Sequence, residues 1–225
     1  PTVSFCRKKA GSISSQPTMT PADVITPKNI RTVGLESVLD LVAITANAFR
    51  HDPFNNWMFK NQFRKHQMFA ALAKHVYAPR GFCQIYEEKG VGQAATMWMM
   101  PGGSIKESFA GSLSLMKAFA LDDGISGIKR GLATGKAMEA QHPKEPHIYL
   151  FTVGVVGSAR GRGLGRQMIE PVLEACDRTG TMAYLENSNP MNERVYNSLG
   201  FEHVAMIEPM AGSEPLQAMK RISRH

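Results

Sequence analysis

Cysteine is scarce in this chain: Cys6, Cys83 and Cys176 are the three found in 225 residues. They are odd in number and far apart, which excludes a disulfide framework and a thiolate metal site and points to a reducing compartment. No apolar run approaches the roughly 20 residues needed to span a bilayer, and no apolar signal core is expected near the N-terminus. Acidic residues are absent before Asp23, and residues 1–27 are rich in Ser, Thr and Pro with a basic Arg7-Lys8-Lys9 run. Such a composition buries little apolar surface, so 1–27 is expected to be a flexible tail rather than a transit peptide. Long Lys/Arg runs with interleaved aromatics are also missing, so the net charge of +7 carries no nucleic-acid signature. The charge favours anionic partners in general, and a phosphate-bearing small molecule satisfies it. The expected setting is cytoplasmic, with neither nucleic acid nor membrane as partner.

The remainder, 28–225, is 43% hydrophobic by whole-chain composition and suits one domain. Seven strands are expected: a short one near Ile30, then 81–88, 91–100, 147–156, 182–186, and two over "FEHVAMI" and "LQAMKRI". Val38, Leu41, Val42 and Phe49 recur at helical spacing, and 64–78 forms a second amphipathic pattern. "HDPFNNWMF" is expected to break the first helix at Pro53. Residues 104–141 read as two helices with a turn near Asp122–Gly124, and "ATGKA" within them lacks the glycine and Ser/Thr of a phosphate loop. Leu164, Met168, Ile169, Val172, Leu173 and Cys176 line one face of a helix over 164–180. A shorter helix over 189–200 has Asn189 as N-cap, Pro190 first and Gly200 as stop.

The most informative stretch is "ARGRGLGRQM", 159–168, where Gly161, Gly163 and Gly165 alternate between a strand and a helix. A strand feeding a glycine turn and then a helix presents free backbone N–H groups and a positive dipole end to an anion. Arg160, Arg162 and Arg166 add full charges. A dinucleotide fingerprint would need glycine at 166, where Arg stands, so that reading fails.

This pattern resembles the GCN5-related N-acetyltransferases, the GNAT family. Their signature is a strand ending in Val, a short spacer and (Arg/Gln)-Gly-x-Gly-x-(Gly/Ala) opening a helix; Val155 and residues 160–165 match it. A later helix with Asn at its start, Tyr near its end and then Gly-Phe matches Asn189, Tyr196, Gly200 and Phe201. "AFRHDPFNNWMF", "MWMMPGG", "HIYLFTVGV" and "YLENSNPMNERVYNSLGF" resemble, in order, the puromycin acetyltransferase-like branch. The likeness runs over about residues 30–210 and departs at Gly157, where the family usually has Pro.

The resemblance implies an α/β (α+β) fold with a central mixed, mostly antiparallel twisted sheet of about seven strands flanked by helices. It implies acetyl-CoA as co-substrate and acyl transfer to a primary amine of a small molecule by direct attack in a ternary complex. By position, the backbone N–H groups of Val153 and Val155 would support developing oxyanion charge. Residues Arg160, Gly161, Arg162, Gly163, Leu164, Gly165 and Arg166 would hold the pyrophosphate, Asn189 and Asn192 the pantetheine arm, and Tyr196 would protonate the leaving thiolate. No metal is expected.

Other candidates come from the residues themselves. An alkylamine is almost wholly protonated near pH 7, so deprotonation needs help. Glu186, ending a buried strand, is read either as that base, acting through water, or as a residue that positions substrate or caps the next helix. His147 and Tyr149 share one strand face and, with His51 and Asp52, are candidate acceptor contacts. Trp57, Trp98 and the methionines are expected in the core, with a Met-lined, adaptable acceptor pocket as the other reading. The helices of 104–141 are expected to wall the acceptor site. Two alternatives stay open: a protein or peptide N-acetyltransferase, and a non-catalytic acyl-CoA sensor. A homodimer stays open too.

Overall fold

The computed structural model describes residues 18–103 and 109–224. Seven strands form one sheet in the order β1-β2-β3-β4-β5-β7-β6. They are β1 Ile30–Val33, β2 Phe82–Glu88, β3 Val91–Met99, β4 His147–Val155, β5 Met182–Asn187, β6 Glu202–Ile207 and β7 Leu216–Arg221. Neighbours pair antiparallel except β4 and β5, which are parallel. Their connection runs through a helix, α6 (Leu164–Thr179), as a parallel crossover requires. This is the mixed, mostly antiparallel sheet anticipated above.

The β4–β5 ladder extends only from His147↔Met182 to Leu150↔Leu185. Beyond it β4 stays on β3 as far as Val155, so β4 and β5 part and a wedge opens in the sheet. A bulge marks the parting: Met97 pairs with Thr152 and Trp98 with Leu150, leaving Phe151 unmatched. The extra residue inverts the in/out alternation. Gly154 consequently backs onto Ala48 of α1 (Val38–Ala48), and Val153 and Val155 lie against Gly165 of α6.

One face of the sheet carries α1, α2 (Pro53–Met58), α3 (Gln62–Leu72), a π-helical turn over 73–77, α4 (Ala78–Arg80) and α5 (Phe109–Gln141). Their core includes Leu41, Phe59, Phe69, Tyr149 and Tyr184. The other face carries α6 and α7 (Glu193–Ser198), packed on Trp98, Ile148, Leu185 and Phe201. Among the described residues, no helix is long and apolar enough to cross a membrane.

Three local outcomes bear on the site. The first helix ends at Ala48, ahead of Pro53, and Pro53 opens a new one, α2, where its missing N–H costs nothing and the Asp52 side chain caps the turn through Asn55 N at 2.9 Å. α5 is two helices that meet at Asp123 and Gly124, whose φ/ψ are non-helical, as the turn signal indicated. Residues 18–27 are not loose: Met19 and Val24 are buried against α6, and Arg178 donates to the Asp23 carbonyl at 2.6 Å. Two apolar side chains suffice to dock a segment whose average composition is polar. Residues 1–17 of the expected tail, and 104–108 of the expected helix, lie outside the described residues.

Candidate active site

On one side of the wedge lies the glycine turn. Gly161 and Gly163 have φ of +77° and +73°, a region that L side chains rarely adopt, and a Cβ on either would meet nothing within 4 Å. The surface above them is therefore open. Gly163 is the N-cap of α6, so the first N–H groups of that helix have no intrahelical partner and face that surface. Leu164 is buried and anchors the helix with its side chain, leaving only its backbone for a ligand. The N–H of Val156 is bonded to Gln93 O on β3 at 2.9 Å. Strand alternation then turns the N–H groups of Val155 and Val153 away from β3, into the wedge.

The arginines are less free than their charges suggest. Arg162 pairs with Glu88 at 3.0 Å, and Arg166 pairs with Glu170 at 2.7 Å and donates to Ser198. Arg160 donates to a neutral acceptor, the Ala48 carbonyl, at 2.7 Å. Gly157 donates to Asn47 Oδ1 at 3.0 Å, a bond that a proline there would lack.

On the other side lies a cavity of about 680 Å³, a size typical of small-molecule sites. Phe54, Phe69, Phe119 and Phe151 supply apolar walls, and Met58, Met68, Met116 and Met138 add flexible ones. Phe151 stacks on Tyr77, which sits on the π-helical turn, with centroids 4.5 Å apart. α5 is fastened across this cavity. Asp122, just before its kink, accepts from Lys60 N and Asn61 N, and Arg130 ties Asp122 and Asp123 to the Met58 carbonyl. The cavity extends to Val153, Asn192 and Tyr196 at the wedge.

Glu186 is on the cavity wall with a side chain only 3% exposed, and its Oε1 has no hydrogen-bond partner among the described residues. Thr134 Oγ1 and Thr152 Oγ1, on the same wall, are likewise unpaired. Unpaired buried polar atoms are costly unless a ligand or water satisfies them. Burial, and then the charge of Glu186, push the phenols of Tyr77, Tyr149 and Tyr184 up, so all three stay protonated. Tyr196 is buried, and burial followed by the Asp52 charge pushes it up as well. It is thus a firm hydrogen-bond donor but a weaker acid than free tyrosine.

The candidates from the sequence separate into groups. Glu186, Tyr149, Val153, Asn192 and Tyr196 meet at the cavity. Asp52 is buried and engaged: Oδ1 accepts from Asn55 and Oδ2 from Ser188 at 2.7 Å, so it braces α2 against the end of β5. His51 is exposed at that helix start. Asn189 caps the turn after β5 through Met191 N at 3.1 Å. His147 borders a second, outer cavity of about 400 Å³. Trp98 is fully buried core, and Trp57 packs on the other core. The residue that sequence reasoning missed is His142, whose Nδ1 lies 3.7 Å from Glu186 Oε1. A histidine pair flanking the short "PKEP" turn was its one visible signal.

A sequence model of the acetyltransferase (GNAT) family matches residues 112–201. Over 75 residues the chain is 36% identical to an uncharacterized N-acetyltransferase of Schizosaccharomyces pombe, covering 32% of this chain and 30% of that protein. The match thus spans less than a third of the relative's length. Among solved structures, the chain is similar to a Corynebacterium glutamicum protein described as "histone acetyltransferase HPA2 and related acetyltransferase". The TM-score is 0.67 at 22% identity, over 88% of this chain and 97% of that one. It is also similar to Drosophila melanogaster polyamine N-acetyltransferase, with a TM-score of 0.56 at 16% identity, over 86% of this chain and 99% of that one. At these identities the likeness is one of fold.

Proposed function

We propose that the chain is an acetyltransferase of the GNAT family, whose model matches it over residues 112–201, and that it transfers an acetyl group from acetyl-CoA to the primary amine of a small molecule with an apolar body. One observation carries this reading: a largely apolar cavity places a buried carboxylate, Glu186, whose Oε1 has no hydrogen-bond partner among the described residues, where β4 and β5 part. The open glycine turn and the free start of α6 fit a pyrophosphate-bearing carrier. When bound, that carrier supplies an acetyl thioester as electrophile. The likeness to the puromycin acetyltransferase-like branch is part of this reading, as is a cytoplasmic setting. Cys83 and Cys176 are free and buried, and burial pushes both thiols up to about 12, so neither is a reactive nucleophile.

The chain's own groups divide the work. Glu186 takes the ammonium proton and frees the nitrogen lone pair. The N–H groups of Val153 and Val155 stabilise charge on the thioester oxygen, an effect worth about 3 kcal/mol for a preorganised donor. Tyr196 donates a hydrogen bond to the departing sulfur, and Asn192 holds the arm at the cavity mouth. The apolar walls exclude water and favour aryl or alkyl substituents over a second charge. α5, fastened over the cavity, favours a compact acceptor over a peptide.

The experiment is an amine screen with acetyl-CoA that follows thiol release. Arylalkylamines and alkylamines are expected to give the highest kcat/KM, above polyamines and peptides. No thiol release with any amine would overturn the reading, and a peptide preference would replace it with the protein-modifying one.

A further inference from the structure

We propose that His142 is the proton acceptor behind Glu186, taking the amine's proton from the acceptor cavity into the outer one, with His147 fixing its tautomer. This rests on the acetyl-transfer reading of the site. A proton taken up by Glu186, 3% exposed among apolar walls, must leave before the next turnover. The outer cavity is lined by His142, Lys144, Glu145, His147 and Tyr149, and Tyr149 borders both spaces. The wall between them is therefore about one side chain thick. His142 stands in that wall, 22% exposed, with Nδ1 toward Glu186 Oε1.

Hydrogen bonding assigns the tautomers. His147 Nδ1–H donates to the Glu145 carbonyl at 2.7 Å, so in the neutral ring Nε2 is an acceptor. Burial pulls His147 below the usual imidazole range and keeps it neutral. Its Nε2 lies 3.1 Å from His142 Nε2, which must then carry the hydrogen. That leaves His142 Nδ1 unprotonated and facing the carboxylate. The ring is boxed by Tyr149 and Tyr184, which meet it edge-on with centroids at 4.9 and 5.1 Å. The 3.7 Å gap to Oε1 closes by a small approach or through one water, as catalytic contacts tighten on substrate binding.

The protons balance. The ammonium N–H breaks and an O–H forms on Glu186. That O–H breaks and an N–H forms on His142 Nδ1, giving imidazolium. The imidazolium, whose ring lines the outer cavity, then gives the Nδ1 proton to water there, so the N–H that formed on Nδ1 is the one that breaks, and His142 regains its Nε2–H tautomer and Glu186 its carboxylate. The groups facing His142 are Glu186 and Tyr184 from β5, His147 and Tyr149 from β4, and Lys144 and Glu145 from the connecting loop.

The test compares wild type with His142→Ala and His142→Gln, using the best amine from the screen. We expect kcat to fall at least about tenfold in both, with KM for acetyl-CoA unchanged, and imidazole in the buffer to restore part of the His142→Ala rate. Wild-type kcat in both variants, or a fall that imidazole does not reverse, would overturn the relay. Thermal unfolding identifies a misfolded variant, and ring 15N NMR on the wild type then decides. Neutral His142 is expected as the Nε2–H tautomer. An Nδ1–H tautomer also overturns it. A wild type inactive toward every amine fails the acetyl-transfer reading instead.

Discussion

The two sides of the wedge are built in opposite ways. The glycine-turn side comes from one continuous stretch, β4 through the start of α6. The cavity side draws Phe54 from α2, Phe69 from α3, Phe119 and Met138 from α5, Tyr149 from β4 and Glu186 from β5. The first depends on backbone conformation and free N–H groups, the second on side chains brought together by packing. A site made of backbone tolerates few changes of shape but many of side-chain chemistry; a site made of side chains does the reverse. Substitutions on the two sides should therefore have separable kinetic signatures.

The largest effect is expected on the cavity side. Glu186→Gln keeps the volume and removes the proposed base, so kcat should fall by about 10²–10⁴ while acetyl-CoA binding is preserved. Raising the pH should recover part of the rate by supplying neutral amine. Steady-state kinetics over pH checks both, and an unchanged profile would reduce Glu186 to a positioning role.

On the glycine side, Gly163→Val forces a β-branched residue to φ +73° where nothing lies in its way. The backbone strain of about 1–2 kcal/mol, together with a side chain in the open surface, should raise KM for acetyl-CoA by at least about tenfold with little change in kcat. Isothermal titration with coenzyme A measures the same loss. If kcat falls and affinity holds, the turn is not the carrier's cradle.

That division also explains what the sequence discloses. Gly161, Gly163 and Gly165 are legible because a strand, a left-handed turn and a helix start are fixed by neighbours in the chain. The Asp122–Gly124 turn, the seven strands and the Asn189 cap are legible for the same reason. The residue pair Asp52–Ser188 is not, because a carboxylate used as a cap and brace looks identical in sequence to one waiting for a ligand. Nor is Met19, whose anchoring depends on where α6 lies. His142 reads as the end of a helix until the fold sets it against Glu186 and His147.

Tyr196 sits where the two sides meet, so Tyr196→Phe should affect chemistry without separating the ligands. Burial and Asp52 keep its proton firmly in place, which limits it as an acid. A thiolate leaves readily without full protonation, so the expected loss is about tenfold in kcat, at the low end for acid catalysis, with both KM values near wild type. Single-turnover kinetics reads this step, and a wild-type rate would remove Tyr196 from the chemistry.

The smallest effect should fall on the frame that both sides share. Arg221, 4% exposed on β7, makes a two-pronged pair with Asp177 of α6 at 2.7 Å and donates to the Leu199 carbonyl. The Arg221 guanidinium holds the Asp177 carboxyl below the usual carboxylate range, and the Arg224 N–H adds to this. A depressed folded value means that the pair's stabilisation is complete above the unfolded carboxylate's range and fades as pH falls through the folded one. Asp177→Asn should thus cost about 1 kcal/mol of unfolding free energy at neutral pH and flatten the acid limb of a stability–pH curve. Its kcat and KM should match wild type, because Asp177 touches neither side of the wedge. Denaturant titrations between pH 3 and 7, about the span over which an ordinary carboxylate ionises, measure the slope. An equally steep acid limb in the variant would mean that other carboxylates carry the linkage.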